Sequence, residues 1–223
     1  IYGASFKLSI FMLLAIQAFR YAGEPFFFSN AENKQAPELF ARVLYYFVVV
    51  CVFILLAVSL NVDLLGKIFL RQPSFREALY LVPMLLFGKL LFGIYINLSV
   101  WFKLVDKTIA GTYISIAGAL ITVIANWILI PIIGYTGSAI ASVVCYGSMS
   151  IICWLWGRKH LPIPYNWSGI LLHLLLAVAL LFIIEYFRPQ NSAISFIINT
   201  LTPLLYLVVV FLFEKDRLKQ KII

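Results

Sequence analysis

Apolar residues run along this chain in long blocks separated by short polar seams. Seven blocks stand out: Phe6–Phe28, Val43–Leu60, Ala78–Trp101, Thr108–Ile130, Gly134–Trp156, Ser168–Phe187 and Ile194–Phe213. Each is close to the roughly 20 residues that carry an α-helix across the hydrocarbon of a bilayer. The seams hold most of the Pro, Asn and charged residues, and none widens into a block able to fold as a soluble domain. The pattern predicts an all-α, polytopic membrane protein of about seven spans, helical because backbone groups in lipid must be satisfied within their own segment. The longest seam, Asn61–Glu77, opens with "NVDLLGKIFL", which reads as an interfacial amphipathic continuation of the second helix.

Composition agrees with the pattern. The chain is 63% hydrophobic and 12% charged, whereas soluble domains are about half apolar and a quarter charged. The formal net charge of +8 could suggest a nucleic-acid partner, but its distribution follows topology instead. With seven spans the loops alternate sides. One side receives Lys34, Arg42, Lys103, Lys107, Arg158, Lys159, Lys215, Arg217, Lys219 and Lys221; the other receives Lys67, Arg71, Arg76 and Arg188. This ten-to-four bias marks the first side as cytoplasmic, together with the tail "EKDRLKQKII". No nucleic-acid partner is expected. The same assignment puts Ile1 on the outer side, with neither an initiator Met nor a signal peptide before it. An odd number of preceding spans would reconcile this, so the expectation is the C-terminal part of a longer transporter-like protein.

The chemistry of a soluble enzyme is not signalled. Cys51, Cys145 and Cys153 fall within spans and form no CxxC pair, so they read as small buried apolar residues. His160 follows "GRK" in a loop and His173 stands alone in the sixth span. No His, Cys, Asp and Glu have metal-ligand spacing, and no phosphate-cradling loop or GxSxG motif occurs. No catalytic residue, metal or cofactor is expected.

Charge inside the spans is the informative exception, because a charged side chain at the bilayer centre costs about 2.5–3.5 kcal/mol and tends to face a bundle interior or a wet cavity. Lys7, Arg20, Glu24 and Lys89 qualify. Arg20 and Glu24 are one helical turn apart, and Gln17 falls beside them on the wheel, making one polar stripe on the first helix. Two readings follow. Arg20 and Glu24 form a structural ion pair, or Arg20 lines a cavity and meets an anionic substrate group while Glu24 orients it. A guanidinium suits phosphate because its planar fork donates two parallel hydrogen bonds. Pro25, just past the pair, is expected to loosen the helix. Lys89 sits near the middle of "LVPMLLFGKLLFGIYINLSVW" and is either structural or a second cavity cation. Lys7, nearer the outer interface, is a weaker third candidate, with snorkelling as the alternative.

The fourth and fifth spans carry small-residue stripes: Gly111, Ser115, Gly118, Thr122 and Asn126 on one, Gly134, Gly137, Ala141, Cys145 and Ser148 on the other. Small stripes let membrane helices approach closely. An antiparallel hairpin is expected, with Pro131 and Gly134 making its tight turn.

The stretch "NWILIPIIGYTGSAIAS", Asn126 to Ser142, resembles the N-x-x-L-I-P-x-x-G-x-x-G-x-A-x-A-[ST] signature of bacterial polysaccharide flippases. "YGASFKL" and "AFRYAGEPFFF" resemble two segments of that family's eighth helix. The family is the lipid-linked oligosaccharide, or O-antigen, branch of the multidrug/oligosaccharidyl-lipid/polysaccharide exporter superfamily. The resemblance implies about fourteen helices in two pseudo-symmetric lobes plus an added C-terminal pair. This chain would supply helices eight to fourteen, with 1–157 as the C-terminal lobe and 158–223 as the added pair and cytoplasmic tail. It further implies a protein of the bacterial inner membrane that flips undecaprenyl-diphosphate-linked oligosaccharide by alternating access, for lipopolysaccharide or exopolysaccharide synthesis. The implied partners are that substrate, membrane lipids and a polysaccharide polymerase complex. Arg20, Lys89 and Lys7 would be cavity cations, Glu24 and Gln17 their coupling or pairing partners. Asn126, Pro131, Gly134, Gly137 and Ala141 would be the packing motif. Two alternatives stay open: a drug or cation exporter of the same superfamily, which would want acidic and aromatic cavity residues, and a membrane glycan-processing enzyme, which would want long outer loops or paired catalytic residues.

Overall fold

The computed structural model describes residues 2–70, 79–189 and 191–220. Ile1, Arg71, Arg76, Glu77, Ala78 and Lys221, each invoked above, lie outside the described residues. The rest is helical, with no strand among the described residues: α1 (Tyr2–Leu8), α2 (Ile10–Ser29), α3 (Ala36–Leu60), α4 (Val62–Phe69), α5 (Val82–Leu98), α6 (Val100–Leu104), α7 (Ile109–Ile133), α8 (Tyr135–Gly157), α9 (Trp167–Tyr186) and α10 (Ser192–Gln220). Seven spans among the described residues are long and apolar enough to cross a bilayer, and each coincides with a predicted block to within a few residues at most ends. The protein is a polytopic α-helical membrane protein.

Helix α3 is the hub. It packs against α2, α5, α9 and α10, and α5 continues the row to α8, against which α7 makes its main contact. The shared core is aliphatic: Leu44, Val48, Val52, Leu55 and Leu56 of α3 meet Leu86, Leu90 and Leu98 of α5 and Met12 and Ile16 of α2. The short α4 occupies the seam after α3, as its amphipathic pattern predicts, and is tied to the far end of α9 by an ion pair between Asp63 and Arg188. Hydrogen bonding to Asp63 raises the pKa of the Arg188 guanidinium beyond its ordinary value.

Two spans are interrupted where the sequence predicts continuous helix. Ser9 separates α1 from α2 and Ser99 separates α5 from α6; each hydroxyl donates to the carbonyl three residues back, Phe6 O and Ile96 O, at 2.7 Å. Such local side-chain bonds compete with the helical ladder and bend it. Conversely, Pro25 does not end its helix: α2 runs through it to Ser29. A proline costs one intrahelical bond and local crowding, which neighbouring turns can absorb near a helix end.

The α7–α8 turn also departs from expectation. Pro131 lies inside α7, which continues to Ile133, and the reversal rests on Gly134 alone, with φ 61° and ψ −142°. Only glycine takes that conformation without a Cβ penalty. Beyond the turn the hairpin closes tightly. A Cβ on Gly137 would stand 2.7 Å from the Leu129 carbonyl, and one on Gly118 would overlap Met149. Ala141 is fully buried. Asn126 donates to Thr122 O at 2.8 Å, so its amide serves its own helix.

Candidate functional site

The buried face of α2 is formed by Met12, Ile16, Gly23 and Phe27. At about 100° per residue, Arg20, Glu24 and Gln17 fall just to one side of that face, and all three are half-buried. The helix therefore seats its apolar stripe on the core and presents its polar stripe at the groove with α5 and α6. A small pocket opens there, walled by Phe19, Gly23, Phe27, Ile96 and Val100, with Arg20, Glu24 and Lys103 at its edge.

The charge pairing differs from the first sequence reading. Glu24 is not the partner of Arg20: Lys103 Nζ donates to Glu24 Oε1 at 2.5 Å. Lys103 comes from α6, the short helix beyond the Ser99 break, which extends the third span further than its apolar block suggests. Arg20 has no carboxylate partner among the described residues, and its guanidinium carbon lies 5.6 Å from the centroid of the Tyr21 ring. The pocket edge thus holds two cations and one anion. Gln17 adds a buried Oε1 with no hydrogen-bond donor among the described residues.

Lys89 stands elsewhere. It is half-buried on α5, its ammonium 4.2 Å from the centroid of the Phe6 ring on α1. The pocket beside Arg20 touches α5 at Ile96 and α6 at Val100, seven and eleven residues further on, which is about 10–16 Å along a helix. Arg20 and Lys89 therefore lie along one seam between the first and third spans without sharing a pocket. Lys7 is exposed.

Two polar features were missed in the sequence. One is Lys103, assigned to a loop because the apolar run stops at Trp101. The other surrounds His173, which is buried and not solitary: Tyr45 Oη lies 2.9 Å from its Nε2 and Tyr206 Oη 3.0 Å from its Nδ1. A lone histidine in an apolar span is itself a signal that facing spans supply partners. Among the described residues no group of His, Cys, Asp and Glu could hold a metal ion.

These features define a membrane-spanning helical lobe with an uncompensated cation in a groove between its first and third spans. No known family profile matches the sequence, and no curated protein matches it. Among solved structures, the fold matches the lipid II flippase MurJ in its inward closed conformation, with a TM-score of 0.75 and 16% sequence identity, over 97% of this chain and 48% of that one. The chain has the fold of about half of that flippase.

Proposed function

We propose that this chain is a lobe of an alternating-access flippase for lipid-linked oligosaccharides, of the undecaprenyl-diphosphate type, in a bacterial inner membrane. The observation that carries this reading is Arg20, a guanidinium within a span whose nearest carboxylate in sequence, Glu24, is already held by Lys103. A diphosphate is the charge complement of such a group, and the fork geometry of arginine matches its oxygens. The half-length likeness to a flippase supports a lobe that works opposite a second lobe, with substrate between them. Lys89 is assigned as a second cation further along the same seam, and Lys7 as a peripheral third. In this reading 1–157 form the lobe, 158–223 the accessory pair and tail, and the Lys34, Lys103 and Lys159 end is cytoplasmic.

The test is transport by the intact protein in its host. Arg20→Ala should reduce surface glycan at least tenfold while the protein remains at near-normal abundance in the membrane. Arg20→Lys should recover little, because an ammonium cannot make the paired contact. Normal surface glycan from Arg20→Ala would overturn the assignment.

A further inference from the structure

Lys103 and Glu24 form an ion pair that a purely structural reading would leave alone, but its setting is unusual. Both side chains remain partly open, 30% and 42% exposed. Both edge the pocket that Arg20 edges, and the remaining wall is apolar. The pair spans from α2 to α6, a five-residue helix set off from α5 by the Ser99 break. The wall itself offers no further polar group to hold either charge.

We infer that the Glu24–Lys103 bridge is ligand-exchangeable: Lys103 is a second phosphate-binding cation of the Arg20 site, held in reserve by Glu24 until a diphosphate arrives. This rests on the flippase reading of Arg20. At rest the pocket edge carries one net positive charge, from Arg20 and Lys103 against Glu24. A diphosphate carries more negative charge than one arginine balances, and the next cation within the same pocket is Lys103. A lysine is suited to the exchange, since its ammonium is a point charge on a flexible four-carbon stem. Glu24 then acts as a competitor for Lys103 as well as its partner. Removing the competitor should therefore tighten binding and removing the cation should weaken it. Each change also alters the local charge, so the double variant, which keeps the net charge, decides: exchange makes it bind as weakly as Lys103→Gln, whereas a merely structural pair leaves it near wild type.

The experiment measures binding of farnesyl diphosphate to the intact protein in nanodiscs, with inorganic pyrophosphate and farnesol as parallel probes. Glu24→Gln, which frees Lys103, should tighten farnesyl diphosphate binding about three- to tenfold. Lys103→Gln should weaken it about tenfold or more, and the double variant should resemble Lys103→Gln. Binding of pyrophosphate with the same pattern would assign the site to the diphosphate alone; a pattern confined to farnesyl diphosphate would assign it to a lipid-borne headgroup. Should Glu24→Gln fail to accumulate, Glu24→Asp decides: it keeps the charge but its shorter carboxylate holds Lys103 less tightly, so binding should tighten, whereas a merely structural pair gives no gain. If both neutralising changes shift affinity in the same direction, or neither shifts it while Arg20→Ala abolishes binding, the exchange is wrong and the flippase reading stands. If wild-type protein binds neither diphosphate, or Arg20→Ala binds as well as wild type, both fall together.

Discussion

Gly134 and Gly137 lie three residues apart and are needed for different reasons, which makes them separable by substitution. Gly134 needs its left-handed φ, so Gly134→Ala should cost about 1–2 kcal/mol of stability through strain at that one residue. Gly137 needs its missing Cβ, because the Leu129 backbone occupies the space. Gly137→Ala should cost about 1–3 kcal/mol by forcing the two helices apart. Gly147 is the internal control on the same helix. A Cβ there would meet only the end of Leu91 at 3.7 Å, so Gly147→Ala should be neutral or stabilising by up to about 1 kcal/mol from helix propensity. Thermal unfolding of the three variants in one detergent checks the ranking; equal losses would mean that α8 tolerates no change of any kind. Residue types are therefore legible in the sequence where one residue's own geometry decides the matter. The Gln17, Arg20 and Glu24 stripe was legible for the same reason, since a single helix sets its spacing. Which carboxylate meets which cation was not legible, because the answer depends on α6 lying against α2, a contact between residues 79 positions apart in the chain.

At the scale of elements, hydropathy placed all seven spans but not their breaks or their neighbours. Ser9 and Ser99 sit inside blocks apolar enough to span without them, and a serine within a membrane helix more often bonds its own turn than breaks it, as Ser115, Thr122 and Ser142 do here. The attachment of α9 and α10 was equally hidden. Both pack on α3, and the polar link among them is the Tyr45–His173–Tyr206 cluster, one hydroxyl from α3, the imidazole from α9 and one hydroxyl from α10. A neutral imidazole donates from one nitrogen and accepts at the other, so one tyrosine receives a hydrogen bond and the other gives one. Hydrogen bonds between membrane helices contribute about 0.6 kcal/mol on average and up to about 1.7. Tyr45→Phe and Tyr206→Phe should therefore each lower stability by about that much. Once His173→Phe is present, Tyr206→Phe should add almost nothing, because the imidazole it bonds is gone. Full additivity in that cycle would show that Tyr206 acts through packing and not through the imidazole. A second polar link about two turns nearer the start of α10, where Asn199 donates to Leu60 O at 2.6 Å and Asn61 donates to Asn199 O at 3.3 Å, predicts that neither tyrosine change alone detaches α9 and α10.

At the scale of the whole molecule, two features of the surface bear on how it sits in a membrane. Its flanks are strongly apolar: Trp127 and Ile132 of α7 and Phe182 of α9 are each more than 70% exposed, which suits hydrocarbon and would be untenable in water. Its two ends differ in charge. One end gathers Lys103 in the last turn of α6 and Lys34, Lys107, Arg158 and Lys159 at the turns after α2, α6 and α8; the other holds Lys67 of α4 and Arg188, the latter paired with Asp63 and Glu185. The positive-inside rule counts only basic residues in short loops, so the described loops point the same way as the full sequence, even with Arg71 and Arg76 set aside. Orientation is tested by labelling intact cells with an impermeant thiol reagent. The native background should be silent, because Cys51, Cys145 and Cys153 are all buried. Against it, Lys34→Cys and Lys159→Cys, both at exposed positions, should be protected until the membrane is permeabilised. Lys67→Cys, exposed on α4, should be labelled at once. This pattern would place the Glu24–Lys103 bridge at the cytoplasmic end of the groove and Lys89 nearer its outer end. The inverse pattern would exchange the two ends, while the helices and their packing stayed as they are.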